Sequence, residues 1–160
     1  MDEITIRPAP NPAKAYLRRY RAMLARQESL RRSIEAAYDR AYSCTARIKP
    51  VTVSGGNGAY DRMAEDVAKI TDETELLRET MGDVSAALKD VLRAIEAVPD
   101  EMQKTVLTLR YVEGLDWISI AERVHYEARH TFIIHGRALW SVNKWMEVQG
   151  IVGNHVAGTV

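Results

Sequence analysis

Residues Asp100–Val142, DEMQKTVLTLRYVEGLDWISIAERVHYEARHTFIIHGRALWSV, decide the fold. They divide into three amphipathic segments, with turns at Gly114 and at His125-Tyr126. The first segment opens on Asp100, an N-cap residue after the break at Pro99, and Glu101 suits its first turn. Val106, Leu107, Leu109 and Tyr111 give it an apolar face at helical spacing. Gly114 fits a left-handed C-cap. Asp116 caps a second, very short helix, Trp117 to Val124, which points Ile120, Ala121 and Val124 inward. A third helix runs from about Ala128. It brings Thr131, Ile134, His135, Ala138 and Val142 onto one face at steps of three and four. Asn143 to Met146 prolong it, and the stretch from Gly150 ends it.

A short helix, a tight turn and a longer helix give the helix-turn-helix geometry that reads duplex DNA. The run Leu109-Arg110-Tyr111-Val112-Glu113-Gly114, then Trp117, Ser119-Ile120-Ala121, Arg129-His130 and Ala138-Leu139, resembles the region-4 helix-turn-helix of sigma-70-type factors. It is most similar to phage-encoded regulators of the ArpU/RinA late-activator kind. That resemblance covers Pro99 to Val142 and implies a phage or prophage transcription regulator. Its third helix, 128–142, would enter the major groove, with Arg129, His130, Ile133 and Arg137 as the DNA-binding set.

Three positions depart from the family pattern. His125 stands where the turn usually has Gly. Glu127, a poor cap, stands where Ser or Thr usually caps the reading helix. Ile133 stands where relatives carry a basic or polar side chain. At 100° per residue the outward face holds Arg129, Ile133, Gly136, Arg137 and Trp140, with Phe132 and His130 at its margins. Phe132, Ile133 and Trp140 therefore form a candidate partner-binding surface, and apolar groups there suit a protein contact.

The upstream chain reads as two long helices. Asn11-Pro12 is an N-cap followed by a first-turn proline, and the helix expected from it spans about 12–48. A Gly-rich linker, 49–58, follows; it lacks Gly-Lys-Ser/Thr and any βαβ context, so it reads as a hinge. A second helix spans about 60–98. Met63, Val67, Ile70, Thr74, Leu77, Met81, Val84, Leu88, Val91, Ile95 and Val98 alternate at steps of four and three, a coiled-coil seam. From Pro12 to Lys49 ten basic residues face three acidic ones, a net of +7, and from Ala59 to Glu101 five face twelve, a net of −7. Opposite charge and a short linker predict an antiparallel helical hairpin. Self-pairing of the second helix in a dimer is the alternative, and two hairpins in a four-helix arrangement satisfy both signals.

The expected architecture is all-α: a helical hairpin over 1–98, a helix-turn-helix over 99–147 and a tail over 148–160. Strand-like alternation is almost absent. The single Cys44 leaves no intramolecular disulfide, and no Cys/His cluster has zinc spacing. No apolar run approaches the length of a membrane span, and the N-terminus lacks a signal-peptide pattern. A cytoplasmic protein without cofactor, metal, small-molecule substrate or catalytic constellation is expected. Its partners would be duplex DNA, a second copy of itself (a dimer foremost) and RNA polymerase.

Two other readings stay open. The module could bind protein alone, RNA polymerase or another partner, through Phe132, Ile133 and Trp140. Or the chain could be a small-terminase-like packaging adaptor, its hairpin building a ring.

Overall fold

The computed structural model describes residues 11–46 and 58–151. Nearly all of them are helical, and no strand occurs among them. The helices are α1 (Pro12–Ala46), α2 (Gly58–Glu96), α3 (Glu101–Leu107), α4 (Trp117–Val124) and α5 (Ala128–Val148), and α3 runs directly into a π-helical segment, Thr108–Glu113. No described helix is long and apolar enough to cross a membrane. Residues 1–10, most of the linker and the end of the tail lie outside the described residues.

Two compact units result, and they regroup the helices. One comprises Met1–Arg21 and Ala87–Val160; the other comprises Ala22–Ala86. The first therefore gathers the start of α1 and the end of α2 with α3, α4 and α5. Sequence periodicity places those same ends with the long helices.

In the five-helix unit, local signals set each boundary. Asp100 is extended, and its carboxylate accepts from the Gln103 amide at 2.8 Å. Gly114 closes the π-helical segment at φ 79°. A Cβ there would lie 2.5 Å from the Arg21 guanidinium carbon, so the glycine answers both a left-handed backbone and a close neighbour. Asp116 caps α4 by accepting from the Ser119 amide at 2.9 Å, and that bond holds its carboxyl below the usual range. The turn after α4 places His125 at φ 56°, and the Tyr126 amide donates to Ala121 O at 3.0 Å, a Schellman-type closure. A β-carbon in that left-handed well costs about 1 kcal/mol, so the absence of Gly here is a strain the packing bears. Glu127 offers α5 no side-chain cap.

The start of α1 is fixed from two sides. Asn11 Oδ1 accepts from the Lys14 amide at 3.3 Å, the N-cap bond that Asn11-Pro12 predicts. Asn143 on α5 supplies a second acceptor: its Oδ1 takes the Ala13 amide at 2.9 Å. One helix thus satisfies an orphan donor of another across most of the sequence.

Two core clusters fill this unit. The larger joins Ala13, Tyr16 and Leu17 of α1 to Val91, Ala94, Ile95 and Val98, to Leu107 and Tyr111, and to Ala138, Leu139, Val142 and Met146. The smaller joins Val106, Leu109, Ile120, Val124 and Ile134. Adjacent residues of α3 divide between them, Val106 to one and Leu107 to the other. Helix α5 contributes to both.

In the Ala22–Ala86 unit, side chains of α1 meet α2 at two places. Ser33 Oγ donates to Glu73 Oε1 at 2.9 Å, and Arg40 pairs with Asp66 at 3.1 Å. That is the one ion pair between the two helices among the described residues. The others lie within a helix, as in Arg31 with Glu28 and Glu35. The face turned to α1 is not the whole predicted seam. Ile70 and Thr80 are buried, while Val67 and Met81 stay 49% and 54% exposed. The helix is rotated so that Asp66 and Glu73 meet α1 in place of Val67 and Thr74, and Thr80 is buried where Met81 is exposed. The two phases share Ile70, Leu77 and Val84, and polar partners on α1 select the rotated one.

Leu17 is fully buried although it lies more than 70 residues before the nearest α2 core residue. Leu17→Ala should cost about 3 kcal/mol through lost transfer energy and the cavity left behind. Urea unfolding measures this, and a loss below about 0.5 kcal/mol would mean that α1 is not part of this core.

Candidate functional site

The candidate surface is the outer side of α5, held in place by its inner side. Thr131, Ile134, His135, Ala138, Leu139, Val142 and Met146 are buried, and their spacing fixes which residues turn outward. Arg129, His130, Phe132, Ile133, Gly136, Arg137 and Trp140 are all exposed. The structure thus brings the whole predicted set, Arg129, His130, Ile133 and Arg137 with Phe132 and Trp140, onto one helix surface.

Their immediate contacts differ. Neither Arg129 nor Arg137 forms an ion pair among the described residues, whereas Arg123, on α4, is held by Glu113 at 3.0 Å. His130 lies against the Tyr126 ring, centroids 4.8 Å apart. Phe132 is half exposed, with its ring 4.6 Å from that of Trp117. Trp140 is 64% exposed, and Lys144 Nζ sits 5.9 Å above its ring. Ile133 is 45% exposed. Gly136 faces open space, so a Cβ would meet nothing within 4 Å. An exposed mid-helix glycine forgoes about 1 kcal/mol relative to alanine, and no packing among the described residues accounts for it.

Beneath this surface lies a polar pair. Tyr111 Oη and His135 Nε2 are 2.9 Å apart, their rings are stacked at 5.8 Å, and Trp117 meets the imidazole edge-on at 4.8 Å. Burial, aided by the charges of Lys14, Arg110 and Arg18, lowers the His135 pKa to about 4. Burial likewise raises that of Tyr111, against the pull of Arg18 and Arg110. The pair therefore stays neutral near pH 7 and anchors α5 to the π-helical segment.

Sequence reasoning did not connect Arg110 with this site. Its guanidinium donates to Leu115 O at 2.7 Å and stands 4.9 Å from the Trp117 ring centroid. Trp117 in turn touches Phe132, so a cation on the π-helical segment supports the edge of the α5 surface. The signal available was only an Arg seven residues before a Trp. No group of three or more His, Cys, Asp or Glu suited to a metal occurs among the described residues.

Compared with protein-family models, with curated proteins and with solved structures, the chain matches none.

Because the folded imidazole resists protonation, the unfolded chain binds the extra proton first, from its ordinary value of 6.5. Stability from this group is complete above about pH 6.5 and is lost as pH falls toward 4, by about 3 kcal/mol in total. His135→Gln should flatten the pH dependence of the urea midpoint between pH 7 and 4.5. Parallel curves for the two proteins would contradict a neutral buried His135.

Proposed function

We propose that this protein is a DNA-binding regulator of the phage or prophage type, in which α4, the His125 turn and α5 act as a helix-turn-helix. The observation that carries this reading is the outer face of α5. It presents Arg129 and Arg137 two turns apart, without carboxylate partners among the described residues, on a helix rigidly held from behind. Helix α5 enters the major groove, with Arg129, His130 and Arg137 meeting phosphates and base edges. Ile133 lies between the arginines and contacts an apolar base edge, such as a thymine methyl group.

The two long helices form an antiparallel hairpin that oligomerises the chain, a dimer being the simplest assembly and a ring the one a packaging adaptor would need. The exposed half-seam Val67, Thr74 and Met81 supports this, because a second helix can cover it. Pairing doubles the DNA contacts and sets two half-sites. Val67→Glu together with Met81→Glu should shift the sedimentation mass to that of the monomer and leave the helical content unchanged. An unaltered mass would remove α2 from the interface.

Binding to random-sequence duplex across a salt series tests the DNA reading. Affinity should fall as salt rises, and the Arg129→Ala/Arg137→Ala variant should bind at least tenfold more weakly. No binding by the intact protein at low salt sinks the proposal.

A second reading draws on the exposure of Ile133 and Trp140. Here α5 docks on a protein such as RNA polymerase. In that case Ile133→Asp abolishes the interaction and the double arginine variant retains it.

A further inference from the structure

Helix α1 begins with cations at a regular interval. Lys14, Arg18 and Arg21 stand at steps of four and three, hence along one face. The neighbouring Ala13 and Leu17 are completely buried, so this basic edge is pinned to the five-helix unit. Arg21 lies across Gly114, at the end of the π-helical segment. Lys14 and Arg18 stand close enough to His135, and Arg18 to Tyr111, for their charges to be felt at those rings. Arg110 adds a fourth cation, fixed by Leu115 O and by the Trp117 ring.

None of these four forms an ion pair among the described residues, while Lys104, Arg123 and Lys144 of the same unit each hold a glutamate. The charge of Arg110 is felt at Asp116, whose carboxylate is engaged as the cap of α4. The described part of the unit carries twelve basic and nine acidic residues. The stretch after Glu101 carries only six against five. Most of the unit's surplus charge thus comes from the first turns of α1. The ridge also connects to the α5 surface, through Arg110 to Trp117 and from Trp117 to Phe132.

We infer that Lys14, Arg18 and Arg21, with Arg110, form a second phosphate-binding surface that grips the backbone of the same duplex whose groove α5 enters. The inference rests on the DNA reading of α5 and extends it. Contacts to phosphates add affinity and register but carry no sequence preference.

The test compares the full-length protein with Arg18→Ala/Arg21→Ala and with Arg129→Ala/Arg137→Ala. It uses a random-sequence duplex, several salt concentrations, and urea midpoints to verify folding. Each lost phosphate contact lowers the slope of log affinity against log salt by about 0.9. The Arg18/Arg21 variant should therefore lose about 2 from that slope, equally on any duplex sequence, and Arg18→Lys/Arg21→Lys should restore most of it. If this variant binds like the intact protein while the Arg129/Arg137 variant is impaired, the ridge proposal is overturned and the α5 reading stands. If only the Arg18/Arg21 variant is impaired, the ridge is the phosphate surface and the α5 reading fails. If the intact protein binds polyglutamate but no duplex at low salt, the ridge belongs to an acidic protein partner and both DNA readings fall.

Discussion

The burial of the inner face of α5 is the constraint from which the rest follows. One helix closes both apolar clusters: Ile134 enters the smaller, and Ala138, Leu139, Val142 and Met146 enter the larger. Because burial of apolar area is the dominant favourable term, this fixes the rotation of α5 about its axis. Rotation then decides the outer face without any further choice. The same helix reaches α1 through Asn143 and the π-helical segment through His135. Polar bonds at both ends of the apolar stripe lock its translation as well.

The two kinds of polar contact serve different ends. Surface ion pairs such as Arg78 with Glu75 lie within single helices and contribute a few tenths of a kcal/mol each. The buried Tyr111–His135 pair and the Asn143 cap join separate elements. Leaving either partner unsatisfied inside the protein costs about 1–3 kcal/mol, so these contacts specify one packing among several that hydrophobicity alone would allow. Glu73 has a cost of this kind: one of its oxygens is buried without a partner among the described residues, while the other takes the Ser33 hydroxyl.

Much of the local structure could be read directly from the residues. Asn11, Asp100 and Asp116 act as caps through side-chain oxygens, and Gly114 takes the left-handed conformation it favours. The inner face of α5 followed from its spacing. Other features were out of reach. The left-handed His125 goes against its intrinsic preference and is held by the bonds and packing around it. The π-helical register has no residue signature. The seam of α2 was ambiguous because two phases share Ile70, Leu77, Val84, Val91 and Val98. Only the positions of Ser33 and Arg40 on the facing helix discriminate between them.

By itself, then, the sequence determined the helices, most of their ends and the faces they bury, since propensity, capping and periodicity act over a few neighbouring residues. Tertiary structure decided what those faces meet. It carried the first turns of α1 to the C-terminal helices, set Asn143 on the Ala13 amide, placed Arg110 over Trp117 and left Val67 and Met81 uncovered. These contacts join residues far apart in the chain, whose pairing depends on shape and polar satisfaction across a whole core rather than on any local pattern.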